Sequence, residues 1–168
     1  MKRLLTTVLT ILAALGLMIG LTGTASAAPP TTQTSTTTSP LLQLGNALGL
    51  FTVEGFGGTT FDAATGSVNA PVIGNPEKSG WVIQQGGITL SKADGSSLSI
   101  RNIKYDTRSG LVTGVIDGER VALYTAEQID ETSADLYIHP EGGAILRTFV
   151  NFLGLPADGA HFGTSSLH

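Results

Sequence analysis

Tyr137 and His139 are the two residues whose types and spacing come closest to a recognisable chemistry. Both lie in the short segment Leu136-Tyr137-Ile138-His139, which has the pattern of a β-strand, and residues two apart on a strand project to the same side. A tyrosine oxygen beside an imidazole can hold a haem iron. A polar stripe on the solvent side of an edge strand explains the same pair without a ligand. We therefore predict no cofactor, with haem as the alternative.

Trp81 is the third candidate ligand-binding residue. It follows Ser79 and Gly80, so we expect it at the edge of a loop, where its ring could stack on a sugar. Aromatic side chains on strands more often pack in the core or against a cross-strand neighbour. Trp81 is therefore kept as a speculative binding residue beside Tyr137 and His139.

Catalytic and metal-binding motifs are absent from the sequence. No G-x-S-x-G segment occurs, and no group of aspartates has the spacing of a calcium loop. His139, His161 and His168 share no zinc-ligand pattern. We therefore predict no catalytic residues and no metal site, and a protein that is not an enzyme. A secreted hydrolase is the least favoured alternative.

The N-terminus has the layout of a secretory signal peptide. Lys2 and Arg3 precede an uncharged apolar run over residues 4–21, and small residues follow it. We predict cleavage after Ala27 and a secreted, extracellular product. There is no cysteine to carry a lipid anchor or a disulfide, and no second apolar span or C-terminal sorting tail follows, so we expect no membrane anchor after cleavage.

Residues 28–40 are rich in threonine and proline and contain no large apolar side chain, which predicts a disordered tether. The folded domain is then expected over residues 41–168. The chain has 9 basic and 13 acidic residues, and the acidic residues are scattered. Nucleic acids and anionic membranes require basic patches, so neither is an expected partner.

The clearest structural pattern covers residues 81–124, where apolar and polar side chains alternate between short turns. Asp94-Gly95 and Asp117-Gly118 predict two of these turns, and the slip of the apolar positions predicts a β-bulge at Arg101 and Asn102. These features indicate an antiparallel meander.

Two further patterns flank the meander. Pro71 predicts that its strand is an edge strand or a bulged one. After Pro140 the apolar positions follow a helical spacing that Gly154 can end. The predicted fold is all-β, a mostly antiparallel sandwich or partly closed barrel, with one short C-terminal helix.

Three segments carry a resemblance to known proteins: residues 86–90, 98–106 and 110–115. In them the chain resembles uncharacterised secreted β-domain proteins of actinobacteria and, more distantly, HtaA-type domains. The latter resemblance implies an exported β-rich domain that binds haem through a tyrosine with histidine support. Those domains keep the tyrosine in an N-terminal strand segment, whereas no tyrosine precedes Tyr105 here, so the motif assigns no ligand residue.

The sequence thus predicts a secreted non-enzymatic domain with a binding or structural role in or near the cell envelope, where a protein partner is conceivable. The alternative is an extracellular haem or small-ligand binding protein. A concave cavity with converging polar groups would favour the binding protein. A packed core beneath a broad flat surface would favour the structural role.

Overall fold

A computed structural model of the chain describes residues 33–73, 79–151 and 156–168. The predicted signal peptide lies outside these residues. The secondary structure elements, in chain order, are β1 (Thr34–Thr38), α1 (Pro40–Ala47), β2 (Thr52–Phe56), β3 (Thr60–Asp62), β4 (Ser67–Ile73), β5 (Trp81–Gln84), β6 (Gly87–Ser91), β7 (Ser97–Asp106), β8 (Leu111–Ile116), β9 (Glu119–Gln128), β10 (Ser133–Ile138), α2 (Pro140–Val150) and β11 (His161–Leu167).

Eight of these strands close into an antiparallel barrel. Their order is β7-β5-β4-β1-β11-β10-β9-β8, and β8 pairs with β7 to complete the ring. Outside the ring, β6 and then β2 extend the sheet from β7, and β3 pairs with β4. The predicted all-β fold with a short C-terminal helix is confirmed, in the form of a barrel that is closed.

Strand β7 serves both the barrel and its extension because it bends in the middle. Its first half pairs with β6 and its second half with β5. Between them, the register with β8 shifts between Arg101 and Lys104, and Asn102 has a φ of 50°. The bulge predicted at this point is confirmed. A bulge bends a strand and increases its twist, which lets β7 pair both within the barrel and with its extension.

The tether prediction is wrong for the part of residues 28–40 that the structure describes. Thr34–Thr38 forms strand β1, which pairs with β4 on one side and with β11 on the other. Ser35 and Thr37 are buried inside the barrel, and Ser39 is fully buried. Ser35 and Thr37 hydrogen-bond to the Ser165 hydroxyl, and Ser39 Oγ donates to the Phe162 carbonyl oxygen at 2.8 Å. Because these small polar groups have partners, their burial costs little although they bring almost no apolar surface. The folded unit accordingly includes Thr34–Thr38 and does not begin at residue 41.

Helix α1 closes one end of the barrel. Ser39 caps it by accepting a hydrogen bond from the Leu42 N–H at 3.3 Å, and Pro40 occupies the first turn, where its missing N–H costs nothing. Leu42 is buried in the core. Gly45 lies so close to Phe51 that a Cβ atom would stand 2.2 Å from its ring. This contact holds the helix against the segment that enters β2.

Helix α2 packs on β9. Its approach is close because a Cβ atom at Gly142 would lie 2.7 Å from the Leu123 carbonyl oxygen. The helix ends at Val150, and its C-cap Asn151 adopts a left-handed conformation with a φ of 49°. It therefore stops before the predicted end at Gly154, a residue outside the described ranges. Asparagine tolerates this C-terminal conformation better than most residues. Within the described ranges, no helix is long and apolar enough to cross a membrane.

Strand β1 can be tested because it is hydrogen-bonded on both sides. Thr36→Pro removes the N–H of its central residue, and proline is not tolerated in the middle of a sheet. We expect the thermal unfolding midpoint to fall by roughly 10 °C or more. Thr36→Val is the matched control: it loses only the 2.7 Å hydrogen bond to Asn69 and should stay within about 3 °C of the wild type. Equal midpoints for the two variants would show that β1 does not hold the barrel closed.

Candidate functional site

The interior of the barrel contains a cavity of about 150 Å³. Small barrels are usually filled by their own side chains. Here the cavity extends from Leu42, which belongs to helix α1, to Thr107 and the turn between β9 and β10. Because Asp130 and Glu131 of that turn are exposed and line the cavity, it reaches the surface at this end. We call this opening the mouth.

One wall of the cavity is polar. Gln84 Nε2 donates to Ser35 Oγ at 2.9 Å, and Ser35 Oγ shares a 3.3 Å hydrogen bond with Ser165 Oγ. Thr37 Oγ1 donates to the same Ser165 oxygen at 3.0 Å. These four side chains, from strands β1, β5 and β11, form a connected network that we call the hydroxyl wall. Hydrogen bonding within the wall offsets the free-energy cost of removing these polar groups from water.

The opposite wall is apolar and comes from β7, β8, β9 and β10. It includes Ile103, Val112, Ala126 and Leu136, together with the ring of Tyr124. Tyr124 is 6% exposed and stacks on Phe162 with 4.3 Å between the ring centroids. Burial raises the pKa of its phenol, so the hydroxyl keeps its proton.

The Tyr124 hydroxyl has no hydrogen-bond partner among the described residues. In the described chain, every side-chain oxygen or nitrogen that is completely buried has a hydrogen-bond partner. Because the Tyr124 hydroxyl has none, it is not completely buried and must border open space. The cavities are the open space that Tyr124 lines. An unsatisfied phenol at such a position is available to a ligand or to water.

The charges around the cavity are negative and lie at its mouth. Among its described lining residues only Asp130 and Glu131 carry carboxyl groups, and no lysine, arginine or histidine of the described chain lines it. Hydrogen bonds from Ser133 and Thr132 lower the pKa of Asp130, which is therefore ionised at neutral pH. The entrance presents a negative potential to an approaching molecule.

A second cavity of about 60 Å³ lies between the two helices and the sheet. Leu44 and Leu48 of α1 border it and are both 58% exposed. The two cavities share one wall. The side chains that line both are Leu42, Ile88, Ile100, Tyr124 and Phe162.

Tyr137 and His139, the predicted pair, do not lie on one strand. Strand β10 ends at Ile138, and His139 is the N-cap of α2, where its Nδ1 accepts a 3.3 Å hydrogen bond from the Glu141 N–H. Strand β10 is also not an edge strand, because it pairs with β9 and β11. Tyr137 lies outside the barrel with its ring edge against His161, at 5.6 Å between centroids.

His161 and Asp135 complete this outer cluster. His161 Nε2 lies 3.2 Å from Asp135 Oδ1, and Thr164 Oγ1 donates to the same oxygen at 2.7 Å. The neighbouring positions on the outer face are polar and partly exposed. This surface offers no apolar enclosure for a ligand. The cluster ties β10 to β11 on the outside of the barrel.

Trp81 is the first residue of β5 rather than part of a loop. It is half-buried on the outer face, with Lys104 Nζ 5.4 Å from its ring centroid. Neither Trp81, Tyr137 nor His139 lines either of the two cavities described above. No group of three or more His, Cys, Asp or Glu in the described ranges could hold a metal ion.

Sequence reasoning missed the residues that do line the site: Ser35, Thr37, Gln84, Tyr124 and Ser165. Tyr124 lies in a segment where apolar and polar residues alternate, and this pattern predicts an ordinary core residue. One signal for β1 was present. Ser39 followed by Pro40 is the usual start of a helix, and a helix there would anchor the residues before it.

The fold is similar to that of two solved structures from Corynebacterium glutamicum. The heme binding protein HtaB matches with a TM-score of 0.58 and 15% identity, over 81% of this chain and 92% of that one. The C-terminal domain of HtaA matches with a TM-score of 0.56 and 18% identity, over 81% and 94%. At these identities the likeness establishes the fold, and the distant resemblance to HtaA-type domains is confirmed at that level. No family model and no curated protein sequence matches the chain.

The outer cluster makes a prediction about pH. Hydrogen bonds from Thr164 and then His161 lower the pKa of Asp135. Because the folded pKa lies below the unfolded one, the stabilisation is present at neutral pH and is lost as the pH falls through the lowered pKa. Thr164→Val should raise the pKa of Asp135 in an NMR titration and destabilise the protein at neutral pH but not in strong acid. Thr125→Val, a neighbour of Tyr137 on β9, is the control and should leave that pKa unchanged. An Asp135 pKa that is the same in both variants would contradict this account.

Proposed function

We propose that this domain is an exported, non-enzymatic protein that binds a small hydrophobic molecule inside its barrel. The observation that carries the proposal is the interior cavity, which combines an apolar wall, a hydroxyl wall and an open mouth. Ligand sites have this composition, mostly apolar with a few polar groups that converge. A small molecule from the surroundings of the cell envelope is the expected partner.

A purely structural role does not account for the cavity. In one series of core mutants the cost of an empty cavity was about 24 cal/mol per Å³, so a cavity of about 150 Å³ corresponds to up to about 4 kcal/mol. That is a large share of the roughly 5–15 kcal/mol that stabilises a typical domain. Larger side chains at Ser35 or Ala134 would fill the space. A ligand that occupies the cavity explains why the cavity is not filled by side chains.

Haem is the second candidate ligand, and the observation in its favour is the likeness to a solved haem-binding protein. The donor atoms of the described chain fit it poorly. Tyr137 lies on the outer face of the barrel and His139 caps α2. The phenols that line the barrel cavity are Tyr105 and Tyr124, and burial raises the pKa of both, so they keep their protons. The interior is also too small, since a cavity of about 150 Å³ accommodates benzene. The second cavity, of about 60 Å³, is smaller still.

Filling the cavity tests the first proposal. Ala134 lines it and is buried, so Ala134→Leu should occupy part of the space. We expect fluorobenzene to bind the wild type with a Kd of about 1 mM or tighter in fluorine-19 NMR, and binding to Ala134→Leu to be at least tenfold weaker. Ala144→Leu, the same change on the exposed face of α2, should bind like the wild type. Equal affinity in all three proteins would exclude the barrel interior as the site.

Hemin titration tests the second candidate. We expect no stoichiometric Soret band that depends on Tyr137, because that side chain lies on a polar outer surface. The measurement compares the wild type with Tyr137→Phe and Tyr124→Phe. A one-to-one band that Tyr124→Phe removes would establish haem binding at the wall between the cavities, and a band that Tyr137→Phe removes would contradict our account of the outer cluster.

A further inference from the structure

The cavity also carries information about the class of molecule that fits it, an inference that rests on the proposed function. Its size sets the first limit. An engineered protein cavity of about 150 Å³ binds benzene, and this cavity has about the same volume. The ligand is therefore of the size of one substituted six-membered ring.

The charges of the lining set the second limit. A carboxylate taken into a low-dielectric interior must find a cation or several donors, and no lysine, arginine or histidine of the described chain lines the cavity. The acids Asp130 and Glu131 at the mouth repel an anion before it enters. The interior suits an uncharged molecule.

The unused hydrogen-bonding groups set the third limit. In the hydroxyl wall, Thr37 uses its proton on Ser165, and the bond between Ser35 and Ser165 uses one more, so one of the three hydroxyl protons stays free. On the opposite wall, the Tyr124 hydroxyl has no partner in the described chain and can both donate and accept. A completely apolar ligand would leave this phenol unsatisfied, which is unfavourable in a site that excludes water.

From these three limits we propose that the barrel binds an uncharged, single-ring molecule with one hydroxyl or carbonyl group, and that the Tyr124 hydroxyl pairs with that group. The ring lies against the apolar wall, and the hydroxyl wall accommodates the polar edge. The Tyr124–Phe162 stack fixes the phenol in position, so little conformational freedom is lost when the ligand binds.

Three matched probes test the proposal on the purified protein: 4-fluorobenzyl alcohol, 4-fluorotoluene and 4-fluorobenzoate, each measured by fluorine-19 NMR. They share one ring and differ in the group at one position. We expect the alcohol to bind about fivefold tighter than the toluene, which corresponds to one net hydrogen bond. The benzoate should bind at least tenfold more weakly than the alcohol.

Two Tyr→Phe variants, at positions 124 and 137, test the role of the Tyr124 hydroxyl. Tyr124→Phe keeps the ring and its stack on Phe162 and removes only a hydroxyl without a partner in the described chain, so we expect it to fold. It should bring the affinities for the alcohol and the toluene within about twofold of each other. Tyr137→Phe makes the same change outside the barrel and should leave the fivefold preference intact.

The outcomes separate this inference from the proposed function. If the toluene binds but the alcohol is not preferred, or the benzoate binds as tightly as the alcohol, the domain is a binding protein and the inferred ligand class is wrong. A preference that survives in Tyr124→Phe also overturns the inference, since another group then recognises the hydroxyl. If no probe binds the wild type, the proposed function fails and the inference fails with it.

Discussion

The closure of the barrel by β1 is the constraint on which the rest of the structure depends. This strand joins β4 to β11, and without it the ring would be an open sheet with two unpaired edges. The inward positions of β1 are Ser35 and Thr37, which are short. The strands across the barrel contribute Val112, Tyr124 and Leu136. A wall of short side chains opposite a wall of large ones leaves a gap, so the strand that closes the barrel also creates the cavity.

The polarity of the cavity has the same origin. A serine or threonine that faces inward must find a hydrogen-bond partner, and the neighbours that supply one are Ser165 on β11 and Gln84 on β5. The network therefore spans the strands beside β1 and leaves the opposite wall apolar. Valine at these inward positions would remove the network, and at position 35, where it is larger than serine, it would also reduce the empty volume. The site is thus a consequence of the composition of one strand.

The meander from β6 to β9 could be predicted from sequence, and β1 could not. In the meander, alternating apolar residues meet turn residues whose geometry is local: Asp117 and Gly118 have φ of 50° and 88°, as a tight hairpin requires. Strand β1 has no apolar residue to show the alternation, and its partners are far away in the sequence. The prediction of an edge strand from Pro71 is wrong for a related reason, since β4 pairs with other strands on both sides. Pro71 lies in β4 beyond the last pairing with β3 and before the first with β5, so its missing N–H costs no hydrogen bond in an interior strand.

The residues that line the cavity could not be recognised in the sequence for another physical reason. Tyr137 stood out because His139 lies two residues further along the chain, but in this barrel the side of β10 that carries Tyr137 is the outer face. Tyr124 looked like a core residue because its ring is one, and only its hydroxyl, which has no partner in the described chain, differs from a phenylalanine at that position.

The same ring connects the barrel interior to the helices. Tyr124 and Phe162 belong to the wall between the two cavities, and α1 contributes Leu42 to it. Protein interiors are close-packed, so a molecule that presses on one side of a shared wall changes the packing on the other side. The fold alone, which is shared with a haem-binding protein, does not decide which side of this wall is used. The donors and charges on each side bear on this choice: the hydroxyl wall lines the barrel cavity alone, whereas the Tyr124 side chain lines both cavities.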